Sequence, residues 1–197
     1  ALATLCALAM PAHAQTAATL STVASSVDVA TLPTPKKTVL GLYLEPKDVM
    51  AAVTGEAAEK TLFLDVRTPE ELTFVGTPTV ADANVPFSVM SPMMEFDAEK
   101  GAYKLVPNGH FVSDVEARLA LKNLNKNDRV ILVCRSGERS ARAADVLAKA
   151  GFTQVYNVVE GFEGDYGKTG RRDVNGWKNA GLPWTYKLDK AKIAANH

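Results

Sequence analysis

From about position 40 onward, short apolar runs alternate with longer segments that are apolar on one side only. Leu42-Tyr43-Leu44 reads as a short strand. Pro46 stands where a helix would begin, and Val49, Met50 and Val53 recur on one face after it. Thr61-Leu62-Phe63-Leu64-Asp65-Val66 and Val130-Ile131-Leu132-Val133 are continuous apolar runs of strand length, the pattern of strands covered on both faces. Pro69-Glu70-Glu71-Leu72 opens a helix with proline and acids in its first turn. A hairpin is predicted around Glu99-Lys100-Gly101, and a helix over 112–124 with Val115, Leu119 and Leu121 as its apolar members. Residues 134–140 read as a polar turn and 141–150 as a helix, with Gly151 at the position just past its end. Residues 154–158 read as a further strand. This alternation predicts an α/β fold, a parallel sheet with helices on both faces.

The flanks carry a different pattern. Residues 15–38 are rich in Ala, Thr, Ser and Val and end near Pro33 and Pro35, which suggests a linker or loose arm, with an ordered first strand as the alternative. The stretch 187–197 reads as a flexible tail. Residues 1–14 combine a short apolar run with Ala12-His13-Ala14, a small-x-small triplet, and read as a partial signal peptide cleaved after Ala14. An uncleaved anchor or a buried helix is the alternative, although the run is too short to span a bilayer as it stands. Leu5 before Cys6 does not match a lipoprotein signal. Export to the periplasm or a similar compartment is therefore expected, with no membrane attachment after cleavage. Cys6 would leave with the signal, and Cys134 would be the one remaining thiol, in an oxidising compartment.

Composition narrows the chemistry. The 197 residues hold 22 Lys+Arg against 22 Asp+Glu, so no basic field for nucleic acid is present. At 47% hydrophobic the chain can bury a real core. Two cysteines exclude a disulfide framework, and with three histidines a Cys/His zinc cluster is not expected. Neither a metal nor a cofactor is called for.

The informative segment is Val133-Cys134-Arg135-Ser136-Gly137-Glu138-Arg139-Ser140, after an apolar strand and before a helix. Ligands of open α/β sheets bind at the carboxyl ends of strands, and a helix N-terminus offers free N–H groups and partial positive charge. A cysteine placed there beside two arginines favours its thiolate. Gly137 lets the loop turn tightly. Cys134 is the candidate nucleophile, and Arg135, Ser136, Gly137, Glu138, Arg139 and Ser140 are the candidate anion cradle. The alternative is that Cys134 merely ends a buried strand as a small apolar residue. After signal removal only His110 and His197 remain, and neither is near Cys134 in sequence, so chemistry that needs a thiolate and no histidine base fits better than a cysteine protease.

Three features together resemble the rhodanese (sulfurtransferase) family. Leu64-Asp65-Val66-Arg67-Thr68-Pro69-Glu70-Glu71-Leu72 is similar to its early Asp-x-Arg segment, and 133–140 to its active loop. Residues 151–158, Gly161-Phe162-Glu163-Gly164 and the stretch from Trp177 to Gly181-Leu182-Pro183-Trp184 resemble its closing part. The resemblance implies a single domain over 39–186 with a five-stranded parallel sheet. It also implies a mechanism: Cys134 takes the outer sulfur of thiosulfate or a similar anionic donor, and the persulfide passes it to cyanide, a thiol or a protein sulfur acceptor. Asp65 and Arg67 would support the loops as an ion pair. Cys-dependent phosphatases of related fold use a loop one residue longer than Cys134 to Arg139, which disfavours phosphate and arsenate chemistry. A non-enzymatic sulfur carrier or partner-binding module remains a second reading. The chain departs from the family at 76–83, where only Asn84-Val85-Pro86 matches, and at 165–176, a polar insertion with Lys168, Arg171, Arg172 and Asp173. That insertion is either a solvated loop or a rim whose Arg171 and Arg172 attract an anion or a partner.

Overall fold

Thr61–Asp65 and Arg129–Val133, two of the apolar runs, lie side by side as parallel neighbours, every residue of each buried. A computed structural model describes residues 23–193. The expected signal segment 1–14, residues 15–22 and residues 194–197 lie outside the described residues. In chain order the elements are β1 (Tyr43–Leu44), α1 (Pro46–Thr54), β2 (Thr61–Asp65), α2 (Pro69–Val75), β3 (Thr77–Pro78), β4 (Ala83–Asn84), β5 (Ser88–Met90), β6 (Phe96–Asp97), β7 (Ala102–Tyr103) and β8 (Leu105–Pro107). Then follow α3 (Phe111–Leu121), β9 (Arg129–Val133), α4 (Glu138–Lys149), β10 (Val155–Val158) and β11 (Trp184–Thr185). The central sheet runs β1-β10-β9-β2-β4, five strands, all parallel.

Strand alternation divides the core into two layers. Leu62, Leu64, Val130 and Leu132 pack under α3 and α4 with Phe111, Val115, Leu119, Ala143 and Leu147. Phe63, Ile131 and Val133 face the other way, onto Val49 of α1, Phe162 and Trp177. Both faces are covered, as the wholly apolar runs require. Helix α2 opens on a capping box: the Thr68 hydroxyl accepts from Glu71 N–H, and the Glu71 carboxylate accepts from Thr68 N–H. The expected hairpin forms as β6 against β7, inside a wider β5–β8 pairing. No helix among the described residues is long and apolar enough to cross a membrane.

Four expectations are corrected. The described part of 15–38 is neither a loose arm nor a strand. Leu32 joins Tyr43 and Val159 in a buried cluster, the Ser26 hydroxyl donates to Asp48, and a 3-10 turn at Thr34–Lys36 buries Lys36 against Asp165. Pro33 and Pro35 shape that turn, and its contacts lie more than a hundred residues away, beyond the reach of composition. The described part of the tail is also packed. Arg118 donates to the carbonyls of Ala191 and Ile193, and Ile193 bridges Asn84 in parallel, covering the otherwise open edge at β4. Leu121 is exposed at the end of α3, because Phe111, Val115 and Leu119 already fill the buried stripe. Finally, α4 begins at Glu138 and not after Ser140, so residues 138–140 of the expected polar turn are helix.

Candidate active site

Strand β9 delivers Cys134 to the carboxyl end of the sheet, 1% exposed. The chain must then reverse within three residues to enter α4. Gly137 makes this possible with φ +92°, a left-handed conformation, at a position where a Cβ would lie 2.1 Å from the Val159 carbonyl oxygen. The turn brings Gly137 N–H to 3.2 Å from Cys134 Sγ. As the N-cap of α4, Gly137 has no side chain to cap the helix, so the first-turn N–H groups of Glu138, Arg139 and Ser140 stay available at the positive end of the helix.

A second glycine locks the loop from the far side. Gly161 has φ +70°, and a Cβ there would lie 2.5 Å from the backbone of Arg135 and Ser136. Phe162 N–H donates to the Cys134 carbonyl at 2.8 Å, and Glu163 N–H to that of Arg135 at 2.9 Å. Phe162 in turn stacks under the Arg67 guanidinium, 4.0 Å away.

The expected site residues separate into four groups. Cys134, Gly137 and Ser140 come together: the Ser140 Oγ lies 3.2 Å from Cys134 Sγ. Arg135 and Glu138 are exposed on the loop and Ser136 is half-buried, so Arg135 is the loop cation open to an approaching anion. Arg139 is placed differently from the expected anion ligand. Its two terminal nitrogens donate to the two oxygens of Glu71, at 2.6 and 2.8 Å. Asp65 and Arg67 lie beneath the loop. Arg67 Nε and Nη2 donate to Asp65, Nη2 also reaches the Gly76 carbonyl, and the Thr77 hydroxyl donates to Asp65. The departing segment at 76–77 thus closes this ion pair, which touches Phe162 through the Arg67 guanidinium.

The electrostatics follow from burial and pairing. Burial works against the Arg139 charge, but the Glu71 hydrogen bonds and charge, with Cys134 also nearby, hold the guanidinium above its usual value. Burial likewise pushes Glu71 up, yet Arg139 and the Thr68 N–H bring it below the ordinary glutamate value. For Arg67 burial is again opposed, by Asp65 first and by Glu71 and Glu163 further off, with a net rise. Glu160, just after β10, is raised mainly by burial, and by the charges of Glu45 and Asp165.

A pH test follows for the Glu71–Arg139 pair. A glutamate whose folded pKa is lowered adds stability above its unfolded value, about 4.3, and loses it as pH falls through the lower folded value. Glu71→Gln is expected to cost about 2 kcal/mol near neutral pH, since it leaves a mostly buried guanidinium short of its counter-charge. The gap between wild type and variant should close on acidification below that range. Urea denaturation across pH checks this, and a gap that does not depend on pH overturns it.

In the insertion, Arg172 stacks on Tyr166 at 3.9 Å and donates to the Gly164 carbonyl, while Arg171 is exposed. Arg172 therefore holds the loop in shape. Sequence reasoning missed Glu71 as the partner of Arg139. It also missed Asn157, a fully buried amide on β10 that accepts from the Ser140 hydroxyl at 2.6 Å. The one available signal for Asn157 was a lone polar residue within the apolar run Val155-Tyr156-Asn157-Val158-Val159.

Comparison with known proteins agrees with this fold. The family profile described as the rhodanese-like domain matches residues 46–168. An uncharacterized protein of Rickettsia prowazekii is 30% identical over 124 residues, 62% of this chain and 81% of its own. The chloroplastic thiosulfate sulfurtransferase 16 of Arabidopsis thaliana is 31% identical over 121 residues, 61% of this chain and 77% of its own. The crystal structure of Rv0390 from M. tuberculosis superposes with a TM-score of 0.55 at 30% identity, covering 73% of this chain and 96% of that one.

Proposed function

Because the chain belongs to the rhodanese-like domain family, we propose that it is a sulfurtransferase that carries a sulfane sulfur as a persulfide on Cys134. The Cys134 thiolate attacks the outer sulfur of thiosulfate or a similar anionic donor. A new S–S bond forms, the donor's S–S bond breaks, and sulfite leaves with the electron pair. The outer sulfur then carries the negative charge until a thiophilic acceptor, cyanide or a small or protein-borne thiol, removes it. The observation that carries this reading is Gly137 N–H at 3.2 Å from Sγ, at the uncapped start of α4. Fixed N–H donors there favour charge on sulfur without reorganising. Arg135 is the cation placed to attract the donor. Since the leaving group departs as an anion, the step needs no histidine to protonate it.

The proposal places this chemistry in the periplasm or another exported compartment, on the strength of the apolar run at 1–10 and the Ala12-His13-Ala14 triplet.

The test is intact-protein mass after incubation with thiosulfate, with Cys134→Ser alongside. The expected result is a gain of one sulfur atom in the wild type and none in the variant. No gain from thiosulfate or from a polysulfide would remove the sulfurtransferase reading, and hydrolysis of an aryl phosphate would become the next assay.

A further inference from the structure

Ser140 has one hydroxyl proton, and two groups face it. Cys134 Sγ lies 3.2 Å from its oxygen and Asn157 Oδ1 lies 2.6 Å from it. The Asn157 amide has a defined orientation. Its Nδ2 donates to the carbonyl of Lys36 at 2.9 Å and to that of Gly137 at 3.0 Å, so Oδ1 must point at Ser140; a flipped amide would set oxygen against two carbonyl oxygens. Cys134, Ser140 and Asn157 are all buried, at 1%, 0% and 0% exposure, so water does not stand in for a lost partner.

We propose that Asn157 is a positioning residue that draws the Ser140 proton away from sulfur and thereby disfavours the bare Cys134 thiolate. With a neutral thiol the chain is complete: S–H donates to Ser140 Oγ, and Ser140 O–H donates to Asn157 Oδ1. With a thiolate the single proton is contested. If the hydroxyl turns to sulfur, Oδ1 loses its Ser140 donor inside the core. If it stays on Asn157, sulfur keeps the Gly137 N–H but not the hydroxyl. The persulfide removes the contest, because Sγ then carries neither a proton nor the charge, which has moved to the outer sulfur. Resting on the sulfurtransferase reading, the arrangement thus favours the loaded state over the unloaded thiolate. The arm residue Lys36 takes part through its backbone, since its carbonyl fixes the amide that fixes the hydroxyl.

The charged groups around the thiol are already paired or exposed. Arg139 of α4 faces it and is bound to Glu71 of α2; Asp65 is bound to Arg67; Lys36 is bound to Asp165; Arg135 and Glu138 are exposed on the loop. None of them is changed by the substitutions below.

The test is a pH titration of thiolate ultraviolet absorbance, with Cys134→Ser as the blank that subtracts every other ionising group. Asn157→Leu frees the Ser140 proton for sulfur, and the midpoint is expected to fall by about one pH unit. Ser140→Ala removes the oxygen that accepts from the neutral thiol and is expected to lower the midpoint also. In the Ser140→Ala background, Asn157→Leu should add no further shift, whereas a merely structural role would still move it. Ser140→Thr keeps the hydroxyl and should restore the wild-type midpoint. A rise in Ser140→Ala would mean that the hydroxyl already donates to the thiolate, and it overturns the proposal even if Asn157→Leu fails to fold. The titration uses no sulfur donor, so its outcome is separate from that of the mass experiment.

Discussion

Gly137→Ala is expected to lose persulfide formation and to destabilise the fold by about 3–4 kcal/mol. Two costs add at this residue. The first is φ +92°, a conformation that an L side chain rarely adopts. The second is a Cβ placed 2.1 Å from the Val159 carbonyl oxygen, an overlap with backbone that no rotamer relieves. Relief requires either the loop or the end of β10 to move. The loop holds Gly137 N–H against Cys134 Sγ, and β10 holds Asn157, so movement of either one dismantles the sulfur site. Gly170→Ala is the control: it shares a positive φ, +76°, but nothing lies within 4 Å of its added Cβ, and only the conformational cost of about 1–2 kcal/mol applies. Thermal denaturation and intact mass after thiosulfate measure both effects. Equal losses at the two glycines would show that the Val159 contact carries no weight.

Asp65→Asn is expected to cost about 3–5 kcal/mol, the range for removing one partner of a buried ion pair. The Arg67 side chain is fully buried and that of Asp65 is 1% exposed, so the guanidinium has no route to solvent once its counter-charge is gone. The loss should spread to the active loop, because Arg67 stacks over the ring of Phe162, whose N–H holds the Cys134 carbonyl. The double variant Asp65→Asn, Arg67→Met should recover part of the stability, since the isolated charge, and not the missing attraction, dominates the penalty. Chemical denaturation of the two single variants and the double closes the cycle. A single-variant cost under about 1 kcal/mol, the value of an exposed pair, would contradict this account.

The parts of the fold that were legible are those whose signal is local. β2 and β9 could be read because a strand covered on both faces must be apolar at every position. The opening of α2 at Pro69, with acids in its first turn, and the positive-φ Gly151 after α4 are also encoded within a few residues. The loop around Cys134 was legible for the same reason, as a thiol, a glycine and arginines between a strand and a helix. The boundary of α4 was not, because a helix capped by a glycine N–H turn carries no Ser, Thr, Asp or Asn signal at its first residue.

Sequence by itself determined the central strands β2 and β9 and the helices that pack on them, that the sheet is covered on both faces, and which thiol stands at a helix N-terminus. These follow from side-chain periodicity and from backbone limits, which act over one or two turns of chain. Tertiary structure alone decided how the charges and protons at the site are shared. Arg139 meets Glu71 across 68 positions, Ser140 meets Asn157 across 17, and Asn157 meets the Lys36 carbonyl across 121. Each is a polar group buried or mostly buried in the fold, so its partner is whichever group the packing of the sheet brings within about 3 Å, wherever that group lies in the chain.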